Sequence, residues 1–578
     1  MLLSPNFITQ RDFLAWLALT SAVYLIILFA PIGSIKNIAR LDQFGFSPDP
    51  EFSYLESFQR SPLGFQWNVD HCPRPIVSPG PIDISRALTL PTTSIVAHAP
   101  GWTIFRNLYM SNGTLFLLSD ASFSDNDTRE ASFPEFRYMT STGLPGFATE
   151  KSVAEREPTK QNMDVISSQE AIRRWGADIS GGGRHRVQSI EGNTLLFNDP
   201  DQHLPHYYHF VAELLLGTWA FWTGAFQVSG QRTPPPSINR AIFTHVTSAG
   251  WHDRPGINAY FFRAAFPSIT VEVKGDWEDR IAVTQGSPTS LEKAWHFPIV
   301  LLADRSAAFR GEACGSRTQR TAAEAWEYMT KRGRLDLAGN WWSSVQTRVT
   351  SFAGVYDQDL DSRAPVSQDA HVSKSTPFDD VSICGAGSSA KTPYLEEPRM
   401  SLAEVQHAQV VAAEAIPAPN PIVITYISRQ NSRRRLVEKD HLALVAALKD
   451  LVALNGPTWE LNIVEAEKLS KDQQIQIAAR TTVMLGVHGN GLTHLVLMRP
   501  TSVSAVIEIF YPGGFARDYE WTARAVGLKH FSVWNNTYTT FPNEPSTPSF
   551  PEGFQGNAIP VHGPTITQLI LDRVGGRL

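Results

Sequence analysis

The sequence predicts an α/β protein of two doubly wound, Rossmann-like halves preceded by one N-terminal transmembrane helix. Three observations predict it. In the second half, short apolar runs alternate with amphipathic stretches, from Ile422–Ile427 to Leu528–Trp534. That alternation is the signature of βαβ units and a parallel sheet. In the first half the same alternation recurs more faintly through Arg240–His245, Gly256–Ala265 and Ile269–Val273. Ahead of both, Phe13–Ile35 is a run of 23 uncharged residues, long enough to span a bilayer with some tilt.

Composition bounds the answer. A chain of 578 residues is too long for one hydrophobic core, so at least two domains are expected. It is 42% hydrophobic and 18% charged, an ordinary globular balance. A formal net charge of −6 offers no bulk attraction to nucleic acid. Three cysteines, Cys72, Cys314 and Cys384, allow at most one disulfide, and their spacing fits no zinc site.

Residues 1–12 are a short tail and 13–35 the anchor. A signal peptide would need a small-x-small cleavage site, and none stands out after Phe29. The positive-inside rule compares Arg11 and the terminal amine with Lys36 and Arg40, and does not favour a cytoplasmic N-terminus. Three sequons, at Asn112, Asn126 and Asn535, all lie after the span and fit a glycosylated lumenal body. Residues 36–100, rich in Pro, Ser and aromatics, read as a stem.

Residues 101–340 form the first half. Ile104–Met110 and Leu115–Leu118 flank Asn112-Gly113, the strongest hairpin signal. Ser122–Gly183 is polar and irregular and reads as loops. Thr194–Phe197 and Ile299–Leu302 read as strands and Thr321–Lys331 as a helix. Residues 341–420 read as an inserted, partly disordered linker, because Asp357–Lys391 is rich in Asp, Ser, Ala and Gly.

Between Thr194–Phe197 and the next strand lies DPDQHLPHYYHFVAE, Asp199–Glu213. Pro205 suits a helix start, and His209 and Glu213 then stand one turn apart on one face. A His and a Glu so placed form a candidate acid–base pair, against the plainer reading of a capping Glu and a satisfied core His. Asp199 and Asp201 make a D-x-D, a pattern that holds a divalent cation on a diphosphate. About one or two such matches arise by chance in a chain of this length. Asp357, Asp359 and Asp361 supply another.

Residues 421–540 form the second half. Strand Ile422–Ile427 ends in the basic loop Ser428–Arg435, then come helix Glu438–Leu454 and strand Trp459–Val464. Ser470 caps a helix to about Arg480, and Val483–Val487 is a buried strand. His488-Gly489-Asn490-Gly491 then turns into a helix over Leu492–Met498. Gly489 and Gly491 permit positive φ and leave room for a ligand, while the helix start offers unpaired N–H groups to a diphosphate. Thr493 adds a hydroxyl. Val503–Phe510 is the next strand, with Glu508 near its carboxyl end, where ligands sit in open α/β sheets. Arg429 or one of Arg433–Arg435 would face the turn across a diphosphate, since Arg suits bidentate phosphate contacts. Helix Phe515–Val526 and strand Leu528–Trp534 complete the unit, and 541–578 is a tail packing back on the body.

Four stretches together resemble glycosyltransferase family 61: RNLYMSNGTLFLL (Arg106–Leu118), HYYHFVAELL (His206–Leu215), YISRQNSRRRL (Tyr426–Leu436) and VHGNGLTHLVLM…VIEIF (Val487–Phe510). They occur in the family's order. The chain departs from the family pattern at Asn490, where Ala is common, and at His494, where Asn is common. The resemblance implies a GT-B architecture with a cleft between the halves. It implies inverting transfer from a UDP-sugar, without a metal or other cofactor, to a protein or polysaccharide hydroxyl in the Golgi or endoplasmic reticulum. Carried onto this chain, Arg429, Arg433, His488, Gly489, Asn490, Gly491, Leu492 and Thr493 would bind UDP, with Glu508 near the ribose. His209 and Glu213 would lie on the acceptor side as catalytic candidates.

Three other readings stand beside it. A metal-dependent transferase would use Asp199 and Asp201. A non-catalytic carbohydrate-binding scaffold would keep the fold and lose the chemistry. A hydrolase would use the H-G-x-G turn as an oxyanion hole, but the G-x-S-x-G elbow is missing from the sequence.

Overall fold

The computed structural model describes residues 83–119, 133–147, 149–176, 183–226, 234–286, 292–311, 321–356, 398–556 and 558–578. All of them lie in one compact unit, Ser78–Leu578. The span expected at Phe13–Ile35, most of the stem, Asn126, the three cysteines and Asp357–Lys391 lie outside the described residues. Among the described residues no helix is long and apolar enough to cross a membrane.

Two sheets organise the unit. The first has nine strands: β1 Ser94–Ala99, β2 Trp102–Ser111, β3 Thr114–Ser119, β4 Met163–Ser167, β5 Val187–Ser189, β6 Asn193–Phe197, β7 Arg240–Phe243, β8 Thr270–Glu272 and β9 Ala294–Ala303. Its order is β4-β3-β2-β9-β6-β7-β8, with β1 on β2 and β5 on β9. Only part is the parallel sheet the sequence predicts. β9, β6, β7 and β8 run parallel, whereas β2 lies antiparallel to β1, β3 and β9. The Asn-Gly signal explains the departure. Asn112 and Gly113 both take positive φ, 50° and 83°. That primed turn folds β2 back as a hairpin, which a purely doubly wound half would not contain.

Ser122–Gly183, read as loops, also contains regular structure. β4 pairs in parallel with β3, and the helix Ser168–Trp175 comes directly after it. Ser167 caps that helix with its side chain, while Ala171 and Trp175 bury its inner face. The short, half-polar run MDVIS carries too little periodicity to announce a strand. Likewise β1 begins within the stretch read as stem, and Lys274–Thr284 is a further helix.

The second sheet matches the sequence closely. β10 Ile422–Ile427, β11 Trp459–Val464, β12 Val483–Val487, β13 Ala505–Ile509 and β14 Lys529–Trp534 are parallel, and β15 Thr537–Thr539 adds an antiparallel edge. The order is β11-β10-β12-β13-β14-β15. This is the doubly wound arrangement whose topological switch point lies between its first and third strands, here β10 and β12. Glu438–Asn455 and the C-terminal helix Gly563–Val574 cover one face, packing Leu444, Leu448 and Leu451 against Ile566, Leu569 and Ile570.

Residues 341–420, read as a linker, include the helices Ser343–Phe352 and Leu402–Glu414. The first joins the halves. Trp342 Nε1 and Gln346 Nε2 donate to the Val496 carbonyl at 2.9 and 3.0 Å, and Gln346 also donates to Met498 O at 2.6 Å. These bonds satisfy carbonyls at the end of the helix Asn490–Leu497, which would otherwise be orphaned in the core. One hydrophobic core therefore runs through both halves, from Phe197 and Trp222 to Leu495 and Trp521.

Phe243 is central to the first half. It is fully buried and packs on Phe197, Phe210, Trp251 and Phe262 at ring-centroid distances of 4.8 to 6.4 Å. Phe243→Ala is expected to cost about 3–5 kcal/mol, because rigid neighbouring rings cannot collapse into the space. Chemical denaturation of the parent and the variant measures it; a loss below about 1 kcal/mol would show that the cluster repacks.

Candidate active site

The carboxyl ends of β6 and β12 face one another, and the segments that leave them build the site. After β6 the chain forms a π-helical turn, Tyr208–Leu215, continuing as helix Leu216–Phe226. Such widened turns concentrate at functional sites. Within it His209 Nδ1 meets Glu213 Oε2 at 2.6 Å. Glu213 is buried, with 4% of its side chain exposed, against 29% for His209. The same carboxylate oxygen receives Arg305 Nη1 at 3.0 Å. Burial alone would raise the Glu213 pKa, but His209 and Arg305 outweigh it and hold the carboxyl below its ordinary value.

Arg305 stands after β9, just past Asp304, which caps the short helix Arg305–Ala308. Its guanidinium also approaches Asp199 Oδ2 at 3.5 Å and donates to His209 O at 3.2 Å. Its backbone N–H donates to Asp199 Oδ1 at 2.6 Å. Burial pushes Asp199 up to about 6 despite Arg305. Asp201 is exposed, so the two carboxylates of the D-x-D do not converge. Among the described residues no group of three or more His, Cys, Asp or Glu could hold a metal ion.

Facing this half is the turn after β12. Gly489 takes φ 147°, and a Cβ there would fall 2.1 Å from Arg429 Nη1, so only glycine lets the guanidinium rest on the turn. Gly491 has no positive φ. A Cβ on it would meet Ile427 Cγ2 at 2.9 Å, so its role is close packing against the end of β10. The helix Asn490–Leu497 is 3₁₀, not α, and its start follows directly on the Gly489 turn. Asn490 Oδ1 accepts from Tyr208 N at 3.0 Å and from Thr493 Oγ1 at 3.3 Å. A side chain of the turn thus clasps the start of the helix that carries His209.

The structure corrects four other expectations at this end. Glu508 is fully buried and does not open on the cleft; it binds His488 Nδ1 at 2.5 Å and His530 Nε2 at 2.9 Å. Leu492 and Thr493 are also buried, and Leu492 N–H is spent on Gly489 O. Arg433 is exposed, like Arg435. Arg434 is the member of the triplet that lines the cleft, because its left-handed backbone, φ 54°, turns it inward. Both described sequon residues, Asn112 and Asn535, are exposed.

Burial lowers the Arg429 pKa, and the neighbouring charge of Arg434 lowers it further. Among the described residues neither guanidinium has a carboxylate within ion-pair distance, and Arg429 Nε is buried without a hydrogen-bond partner. Two neighbouring guanidiniums beside a helix start are a candidate anion site.

One cavity of about 300 Å³ has His209, Glu213 and Arg305 on one wall and Arg434, His488 and Gly489 on the other, with Arg429 outside its lining, against Gly489. Asp518, Tyr519 and the tail residues Phe550, Phe554 and Gln555 complete it. The tail is held by reciprocal backbone hydrogen bonds between Phe515 and Ser549. A second cavity of about 410 Å³ adjoins through His203, Arg305 and Phe309. Sequence reasoning missed Arg305 and Asp518, and named Arg434 only as one of three consecutive arginines. The helix-capping Asp304 after an apolar strand was the only hint of the first, and nothing in three consecutive arginines distinguishes Arg434.

His530 provides a pH test of the floor beneath the turn. Burial opposes its charge, but hydrogen bonds to Glu508 and Glu544 prevail and push it up to about 10. The folded protein therefore keeps a proton that an unfolded histidine loses near 6.5. Its contribution to stability is full below pH 6.5 and is lost as pH rises through about 10. Melting temperature should fall across that window, and His530→Gln should flatten the fall. A variant with the parent's slope would remove the Glu508–His530 pair as the cause.

Residues 340–505 match the family model Glycosyltransferase 61. The chain is also 31% identical over 130 residues to an EGF domain-specific O-linked N-acetylglucosamine transferase of Bos taurus, 22% of this chain and 23% of that protein. It is 29% identical over 130 residues to the Mus musculus protein of that name, and 26% identical over 128 residues to the Drosophila melanogaster one, each covering 22% of this chain. The matched stretch spans 23% of the mouse protein's length and 22% of the fly protein's. The family resemblance read from the sequence is therefore shown over the stretch that carries β10, β12 and the His488–Gly491 turn.

Proposed function

We propose that this chain, with its glycosyltransferase 61 region, is an inverting glycosyltransferase of GT-B type. It moves a sugar, N-acetylglucosamine or a pentose, from a UDP-sugar to a protein or polysaccharide hydroxyl. The observation that carries the reading is Arg434, across one cavity from the His209–Glu213–Arg305 cluster, with the neighbouring guanidinium of Arg429 against the Gly489 turn. The relatives are named as O-linked N-acetylglucosamine transferases, which supports a nucleotide-sugar donor and a protein acceptor. The exposed sequons at Asn112 and Asn535 favour a lumenal body in the Golgi or endoplasmic reticulum, anchored through Phe13–Ile35.

In this reading the UDP diphosphate lies on Arg429, Arg434 and the N–H groups that head the Asn490–Leu497 helix. The acceptor enters through the adjoining cavity. His209 is the group that meets the acceptor hydroxyl. Glu213 cannot do so, because it is buried and already shared between His209 and Arg305. It positions the ring through Nδ1, leaving Nε2 to take the proton. The acceptor oxygen then attacks the anomeric carbon from the face opposite the diphosphate, and the anomeric C–O bond breaks. The charge developing on UDP is met by the guanidiniums and N–H dipoles, so no metal is required.

Two sets of variants test the division of labour. Arg429→Ala and Arg434→Ala should each weaken UDP about ten- to a hundredfold by calorimetry, the worth of one charge-assisted contact at about 1.5–3 kcal/mol. Arg433→Ala and Arg435→Ala should bind UDP like the parent. His209→Asn should lower turnover about 10²- to 10⁴-fold at unchanged UDP affinity, with Glu213→Gln in between. Activity should survive chelator. Loss on chelation restored by manganese would favour a metal-dependent transferase through Asp199 and Asp201. Folded variants of Arg429 and Arg434 that bind UDP normally would place the nucleotide elsewhere.

A further inference from the structure

Asp518 is the one acid of the cleft that the proposed chemistry leaves unused. It opens the helix Asp518–Ala525, and its position is fixed from both sides. Its carbonyl accepts from Tyr208 OH at 2.9 Å, tying it to the half that carries His209. The next residue, Tyr519, packs edge-on against Tyr208 and His488 at 5.1 and 5.6 Å. Asp518 lines the 300 Å³ cavity, between the His209–Glu213 wall and the Arg434–His488 wall. Among the described residues its carboxylate makes no hydrogen bond and no ion pair.

An acid left without partners in a cleft that binds an anion has few physical uses. It cannot face the diphosphate, since like charges would repel. The remaining polar groups of a nucleotide sugar near the reacting end are the hydroxyls of the sugar ring. A carboxylate is an acceptor only, with two oxygens that can each take a hydroxyl hydrogen. Its place between the nucleotide wall and His209 is also where the transferred sugar must lie if UDP rests on Arg434 and the acceptor approaches His209.

We propose that Asp518 is a specificity-determining residue that accepts hydrogen bonds from ring hydroxyls of the donor sugar and holds the sugar for attack. The environment agrees. Burial raises its pKa to about 7 against the pull of His488 and Arg434, with Glu213 and Glu508 adding to the rise. Hydroxyl donors would compensate that desolvated charge. This inference rests on the nucleotide-sugar reading of the same cleft.

The test separates the two. Calorimetry on the full chain compares UDP, UDP-N-acetylglucosamine and UDP-xylose on the parent, Asp518→Asn and Asp518→Ala, with circular dichroism to confirm folding. UDP binding by the parent tests the cleft. The ratio of UDP-sugar to UDP affinity tests Asp518. The parent should prefer at least one UDP-sugar over UDP, and both variants should lose that preference by about tenfold while binding UDP as the parent does. Variants that keep the parent's preference would overturn the role. So would variants that keep the preference and lose turnover, because Asp518 would then be acting on the acceptor proton. A parent that does not bind UDP would remove the cleft reading and this one with it.

Discussion

Arg429 and Arg434 stand together at the switch point of the second sheet, and among the described residues neither has a carboxylate within ion-pair distance. Bringing two guanidiniums close in a partly dry cleft is unfavourable until an anion arrives. The local structure accepts that cost and holds it in place. Glycine at 489 lets Arg429 lie on the turn, and a left-handed residue at 434 turns the second cation inward. Beneath the turn, Glu508 fixes His488 while taking a second histidine, His530.

The opposite wall shows the complementary arrangement. Glu213 is a buried carboxylate, and it is tolerable only because Arg305 and His209 converge on one of its oxygens. Arg305 comes from the end of β9 and His209 from the helix after β6, two neighbouring strands. Pairing β6 with β9 is therefore what assembles the cluster, and the hairpin excursion of β2 and β3 lies on the far side of β9 from it. This explains why the first half departs from a doubly wound plan without disturbing the site: its parallel part, β9-β6-β7-β8, is kept where the functional residues end.

The second half was legible almost strand for strand, because each element announces itself. Ile422–Ile427 and Val483–Val487 are buried on both faces and read as continuous apolar runs. Ser470 with Gln473 forms a capping box visible in sequence. The first half was less legible because β4 and β5 are short and carry polar residues, so pairing with longer neighbours determines them. Within the site, His209, Glu213, His488 and Gly489 were readable from spacing and turn chemistry. Arg434 was not, since backbone handedness selects it from its neighbours. Glu508 was misplaced for a different reason. Position at a strand's carboxyl end is readable, but whether a side chain points to ligand or to core depends on its neighbours in the fold, here His530 on the adjacent strand β14.

A clasp holds the two halves together across the cleft floor. Asn490 belongs to the phosphate-side turn, yet its oxygen accepts from the backbone N–H of Tyr208, the residue before His209. Tyr208 in turn donates through its hydroxyl to the Asp518 carbonyl. Three residues from the two halves are thus linked by two hydrogen bonds. Trp342 and Gln346 secure the other end of the Asn490–Leu497 helix to the same body. A reaction that depends on a proton acceptor on one half and a leaving-group site on the other needs their separation fixed to a fraction of an ångström. The Asn490–Tyr208 bond adds to the shared hydrophobic core that holds the two walls of the cleft together. It uses a side-chain oxygen at the position where the resemblance to glycosyltransferase family 61 leads one to expect alanine, whose side chain has none to offer.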